Sequence, residues 1–264
     1  MNSFLWTVLG TGFIFFMTCL GSSVVFFFRK KEVNKNIQTI FLGFAAGIMI
    51  SAAVFGLLVP AIKEAEAHGF IGWIPASIGF LLGVLFLLAL DKLIPHLHPE
   101  SNTQEGPLVS MKRTTLLVSA VTIHNIPEGM AVGLSFALAA QNPGDAMLYS
   151  SALALALGVG IQNFPEGAAI SLPLKREGIK TGKAFFIGCL SGITEPLFGI
   201  LMVLIAGFIA PVMPWLLAFS AGAMFYVVVE ELIPEAHLGE HTHFGTLSVM
   251  VGFVVMMILD IALG

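Results

Sequence analysis

Two related stretches hold the side chains best suited to chemistry: His124-Asn125-Ile126-Pro127-Glu128-Gly129 and Gln162-Asn163-Phe164-Pro165-Glu166-Gly167. Each places a coordinating side chain four residues ahead of a carboxylate, with an asparagine between and a proline just before the acid. On an α-helix, positions i and i+4 share a face one turn apart. His124 and Glu128 are therefore expected to point the same way, as are Gln162 and Glu166. Pro127 and Pro165 lack a backbone N–H and crowd the preceding turn, which predicts a kink and a freed carbonyl in each helix. Two such helices face to face would gather two glutamates, an imidazole, a glutamine and two asparagines. That is the composition of a cation site.

Further groups extend it. Asn125 and Asn163 lie about 100° round from the first set but remain three residues from Glu128 and Glu166. A second ion could then sit beside the first, bridged by the two glutamates. Glu195, within Gly192-Ile193-Thr194-Glu195-Pro196, stands in another weakened helix, and Met49 could serve as a soft ligand. A charge in mid-membrane costs about 2.5–3.5 kcal/mol, so Glu128, Glu166 and Glu195 together would cost on the order of 8–10 kcal/mol. No Lys or Arg falls at matching depth in the sequence, so a divalent cation or a proton must supply the missing charge.

The elements that position these residues are membrane helices. The chain is 57% hydrophobic and 11% charged, with a mean hydropathy of +0.94. That composition excludes an ordinary soluble domain, and the lack of a basic tail argues against nucleic acid as a partner. Apolar runs predict eight spans, near 4–28, 37–61, 72–94, 114–140, 146–173, 183–209, 214–235 and 244–263. They make one all-α transmembrane domain over 1–264. Of the 12 Lys and Arg, only Lys63 falls in the even-numbered loops. The positive-inside rule then places the odd loops in the cytoplasm and both termini outside. The first apolar run is too long, and its positive cluster follows rather than precedes it, so it reads as a helix and not a signal peptide. Cys19 and Cys189 each read as a small apolar packing residue.

Acidic and histidine residues gather at the cytoplasmic side: His96, His98, Glu230, Glu231, Glu235, His237, Glu240, His241 and His243. Each alone reads as a solvated interfacial residue, and together they suit a release or regulatory site. Asp91 and Asp260 read as interfacial. Gly43, Gly47, Gly79 and Gly83, spaced by four, suit a homodimer through small-residue helix faces. The motif of spans four and five has a counterpart in spans two and seven, Phe44-Ala45-Ala46-Gly47-Ile48-Met49 against Phe219-Ser220-Ala221-Gly222-Ala223-Met224. In both cases the matched helices enter from opposite sides, the pattern of an inverted-repeat transporter with a midplane site.

The doubled Asn-x-Pro-Glu-Gly motif, the eight spans and Glu195 together resemble the ZIP (Zrt-, Irt-like protein) metal transporters, and the Gln-Asn-Phe-Pro-Glu-Gly form resembles their GufA-like branch. The resemblance implies uptake of divalent metal toward the cytoplasm, chiefly zinc, with cadmium, iron, manganese, cobalt and nickel as alternatives. It implies a primary site of His124, Glu128, Gln162, Glu166 and Met49, and a neighbouring one of Asn125, Asn163 and Glu195 with the shared glutamates. Many members have histidine where this chain has Gln162, and some have an acid in place of Asn163. The metal would be transported substrate, with no catalytic cofactor, and the lipid bilayer the other partner. The chain's brevity suggests a bacterial inner (plasma) membrane. The alternative is a membrane-embedded zinc metallohydrolase, which three ligands and a water would permit. The sequence has no His-Glu-x-x-His segment to support it.

Overall fold

A computed structural model describes residues 3–27, 35–97, 104–105, 107, 113–236 and 243–263. His98, His237, Glu240 and His241 lie outside them. The first apolar run forms α1, Ser3–Ser23, closed by a 3-10 turn over Val24–Phe26. The second forms α2 (Lys35–Ser51), a π-helical stretch (Ala52–Leu58) and α3 (Val59–Ala67) in succession. α4 spans Trp73–Leu93. Beyond it the helix ends ahead of Pro95, and two short strands, β1 (His96–Leu97) and β2 (Gln104–Glu105), pair antiparallel. This ladder is a small departure from the all-α expectation, and it satisfies backbone groups that the loop would otherwise leave to water.

α5 (Arg113–Gln141) and α6 (Ala146–Arg176) carry the two motifs and run unbroken through Pro127 and Pro165. Each proline therefore removes a backbone hydrogen bond without ending its helix. Asp145 caps α6 by accepting from the Met147 backbone N–H at 2.9 Å. The expected span at 183–209 is divided into α7 (Thr181–Ser191), α8 (Thr194–Leu204) and α9 (Ala206–Ile209). Then come α10 (Met213–Val227), a second π stretch (Val228–Leu232), α11 (Ile233–Glu235) and α12 (Phe244–Leu263). Each π stretch stands just ahead of a proline, Pro60 or Pro234. The wider turn relieves the contact between the proline ring and the carbonyl one turn back. Among the described residues, seven helical stretches are long and apolar enough to cross a membrane; α5, though long, is not among the seven.

The helices pack chiefly as four pairs: α1 with α6, α2 with α12, α4 with α10, and α5 with α8. Every crossing has a glycine on each side: Gly21 and Gly167, Gly47 and Gly252, Gly83 and Gly222, Gly129 and Gly199. A side chain at any of the first seven would strike the facing helix, and one at Gly199 would meet Thr11 of α1 first and then the Gly129 carbonyl. Between membrane helices, such small residues let backbones come close and gain packing that lipid would not supply. This corrects the dimer argument. Gly43 and Gly47 face α12, and Gly79 and Gly83 face α10, so the glycine stripe is spent within the chain.

Candidate metal-binding site

The break between α7 and α8 is held open from α5. Asn125 Nδ2 donates to the Ser191 carbonyl at 3.2 Å, and Thr194 Oγ1 donates to the Thr122 carbonyl at 3.3 Å. These bonds satisfy groups that helix ends leave without partners. They also fix Glu195 in the first turn of α8, fully buried. Gly129, the last residue of the first motif, packs against the Glu195 backbone, and Gly167, the last of the second, against the Thr18 carbonyl of α1. The motif's glycine thus sets how closely the acid-bearing helices approach their neighbours.

Between these helices the side chains form a connected run. Gln162 Nε2 donates to Glu128 Oε1 and to Asn163 Oδ1, each at 2.7 Å. Asn163 Nδ2 donates to Glu195 Oε1 at 2.8 Å and to Thr18 Oγ1 at 3.2 Å, and it approaches the Ile14 carbonyl at 3.5 Å. The Thr18 hydroxyl has one proton to give, and it lies between the Ile14 carbonyl at 3.2 Å and Glu195 Oε1 at 3.4 Å. Glu128, Gln162, Asn163 and Glu195 are all fully buried. Glu195 lies within electrostatic reach of both Glu128 and Glu166.

Four oxygens of this neighbourhood, Glu128 Oε2, Gln162 Oε1, Glu195 Oε2 and Asn125 Oδ1, are buried with no hydrogen-bond donor. A buried polar atom without a partner is costly. An excess of buried acceptors with no donors to match calls for a cation. The set is one of oxygens, carboxylate and amide mixed. Among the described residues no three His, Cys, Asp or Glu side chains converge closely enough to hold a metal by themselves.

The structure divides the expected ligands. Glu128, Gln162, Asn163 and Glu195 are joined, with Glu166 beside them. Asn125 is turned toward Ser191, and Met49 is buried in the main apolar core. His124 stays within electrostatic reach of Glu128, but its ring nitrogens meet other acids: Nδ1 meets Glu231 Oε2 at 2.9 Å, and Nε2 lies 3.9 Å from Asp91 Oδ1. Cys19 and Cys189, read as packing residues, are both free, Cys189 buried and Cys19 half-buried.

Three acids were misplaced by sequence reasoning. Glu231 was expected to be interfacial, yet its side chain is only 11% exposed against His124. Asp91 and Asp260 are buried as well. Nearness to a helix end had suggested water, but a helix face continues to its end. Gly79, Gly83, Leu87 and Asp91 are buried at every fourth position of α4, and Ser248, Gly252, Met256 and Asp260 do the same on α12. That rhythm was the available signal. Both Asp260 carboxylate oxygens lie buried without a hydrogen bond.

Comparison with known proteins agrees with this architecture. A family described as "ZIP Zinc transporter" matches residues 100–260. The chain is 35% identical to "Zinc transporter ZIP11" of Homo sapiens over 97% of each chain. It is 37% identical to "Zinc transporter ZIPB" of Bordetella bronchiseptica, over 98% of this chain and 82% of that one. It is 34% identical to "Zinc transporter GufA" of Myxococcus xanthus, over 89% and 90%.

Proposed function

Because the chain belongs to the ZIP Zinc transporter family, GufA-like in its motifs, it is a multi-pass divalent metal transporter and not an enzyme, and we propose that Zn²⁺ passes toward the cytoplasm through the α5, α6 and α8 site. Family membership removes the metallohydrolase alternative. The observation that carries the site is the gathering of buried, donor-less oxygens on Glu128, Gln162 and Glu195 within one hydrogen-bonded run. Oxygen ligands bind zinc at about 2.0–2.2 Å. Glu128 and Glu166 supply the charge that lets a dication leave water, and Gln162 adds a neutral oxygen. A second ion beside the first would take Asn125, Asn163 and Glu195, sharing the glutamates. His124 would join as the ring turns back toward Glu128, and Met49 as a soft ligand.

Eight spans in a single domain over 1–264, outside termini and a plasma-membrane location complete the reading. α5 counts as the fourth span because its polar residues face the protein interior, where a membrane helix can carry them. Inverted repeats are supported by matched features. The π stretches follow the matched Phe44–Met49 and Phe219–Met224 segments, and each precedes a proline. The glycine crossings also correspond: exchanging α1 for α7–α8, α2 for α10, α4 for α12 and α5 for α6 turns each packed pair into another. Alternating access between such halves would expose the site first outside, then inside.

Radiolabelled Zn²⁺ uptake into proteoliposomes tests this reading, with Mn²⁺, Fe²⁺ and Cd²⁺ as competitors. Saturable uptake is expected, with Glu128→Ala and Glu166→Ala each lowering it on the order of 100-fold, as expected for a lost charged ligand. Undiminished uptake in both variants would overturn the site. Metal bound in stoichiometric amount but never crossing would overturn the transport direction and route together.

A further inference from the structure

The run of hydrogen bonds through the site uses the same carboxylates that would ligate metal. An amide side chain has two faces, an N–H₂ that donates and a carbonyl that accepts. Here the donating faces are engaged. Gln162 Nε2 holds Glu128 Oε1, Asn163 Nδ2 holds Glu195 Oε1, and Gln162 Nε2 also reaches Asn163 Oδ1, linking the two. The accepting face of Gln162 is buried with no donor. Rotation of that amide would exchange the two roles, withdrawing a donor from Glu128 and offering an oxygen ligand in its place. Thr18 on α1 completes the run: it accepts from Asn163 Nδ2, and its one hydroxyl proton is shared between the Ile14 carbonyl at 3.2 Å and Glu195 Oε1 at 3.4 Å. Its position is set by close packing of α1 on the helix break, where Gly192 leaves room for the Thr18 side chain.

From this we propose that Gln162, Asn163 and Thr18 form a hydrogen-bond latch that stands in for the metal ion between Glu128 and Glu195, allowing the carrier to reorient after release. The inference rests on the site proposed above. A carrier that delivers an ion must return without it, and buried carboxylates with neither cation nor donor would oppose that step. Amide and hydroxyl donors already in place supply the compensation. Thr18 is a positioning residue: it acts on Asn163 and Glu195 rather than on the ion.

The latch separates two fluxes. Net Zn²⁺ uptake into vesicles without internal Zn²⁺ requires the unloaded return, whereas exchange of labelled for internal Zn²⁺ does not. Both would be measured in proteoliposomes with the membrane potential clamped, for wild type, Thr18→Val, Thr18→Ser, Gln162→Glu and Glu128→Ala. Thr18→Val keeps the shape and removes the hydroxyl. It is expected to lower net uptake about tenfold relative to exchange, the size of one lost charge-assisted hydrogen bond. Thr18→Ser should restore the wild-type ratio. Gln162→Glu replaces the donor by a second acid and should lower the ratio further. Equal loss of both fluxes in Thr18→Val, or no change in their ratio, would overturn the latch. Glu128→Ala should silence both fluxes; if it spares both, the site reading fails instead.

Discussion

His124 and Gln162 occupy the same place in two copies of one motif, yet they face different company. Gln162 turns to Glu128 of the other copy, at 2.7 Å, while His124 turns to Glu231, at 2.9 Å, and toward Asp91. The backbone is not the cause, because both helices run unbroken through the proline. The difference lies in the side chains and their neighbours. A glutamine amide brings donor and acceptor together and can bridge a carboxylate to Asn163. An imidazole has two ring nitrogens on opposite sides, which suits a place between the carboxylates of α4 and the π stretch. One motif therefore builds two polar centres, an oxygen-rich one spanning α5, α6 and α8, and an imidazole–carboxylate one reaching α4 and the Val228–Leu232 segment.

The largest effect should come from what the two copies share. Gly129→Val and Gly167→Val would each push a side chain into facing backbone, that of Glu195 or of Thr18. Overpacking of this kind costs about 1–3 kcal/mol or more. Both variants should lose most of their folded, monodisperse yield in detergent, whereas Gly12→Val, at an open position, should not. A stable Gly129→Val protein would break the parallel between the copies.

Next comes the residue in which they differ. His124→Gln makes the copies alike, but an amide cannot span Asp91 and Glu231 as the ring does. Zn²⁺ uptake should fall about tenfold or more, as for loss of a buried charge-assisted partner. An unaltered rate would show that the second centre takes no part in transport.

Gln162→His tests the reverse change. It removes the amide donors from Glu128 and Asn163 and adds a nitrogen ligand, which borderline metals such as Zn²⁺ favour over Mn²⁺. Competition assays should show the preference for Zn²⁺ over Mn²⁺ rising by roughly several-fold, about 1 kcal/mol. A fall in that preference would count against metal contact at position 162.

The smallest effect is expected at Asn125, whose Nδ2 bonds the Ser191 carbonyl at the α7–α8 break. Asn125→Ala should destabilise the fold by about 1 kcal/mol, read as a lower midpoint in thermal unfolding, with a milder loss of uptake than at Glu128. If uptake instead vanishes while the midpoint holds, Asn125 acts chiefly as a ligand.

Much of this molecule is legible in its sequence. Long apolar runs marked where most helices lie, since a bilayer leaves the backbone few other ways to satisfy its hydrogen bonds, although the run at 183–209 is divided into α7, α8 and α9. The α12 boundaries, Phe244–Leu263, agree with the expected run at 244–263. The doubled motif pointed to Glu128, Gln162 and Asn163, and the weakness around Pro196 pointed to Glu195. Less legible was anything that depends on which helix lies alongside. The glycines at 43, 47, 79 and 83 announce close packing but not its partner, and the partner is in the same chain. Asp91 and Asp260 carry a four-residue rhythm that was readable, yet closeness to the helix ends outweighed it. Thr18 gave no signal at all, because one hydroxyl in an apolar helix usually bonds its own preceding turn. Thr18 does so too, reaching the Ile14 carbonyl at 3.2 Å.

The sequence by itself determined the class of protein, the helical content and the two segments that carry the buried polar run. Composition and i,i+4 spacing are local properties, and a membrane converts them into structure with little freedom left. The tertiary structure decided which face met which. It sent His124 to Glu231 and Asp91, spent the glycine stripe inside the chain and brought Thr18 to Asn163 and Glu195. Those outcomes depend on contacts between helices far apart in the chain. Packing and hydrogen bonding, satisfied jointly across several helices, select them, and no single segment encodes that balance.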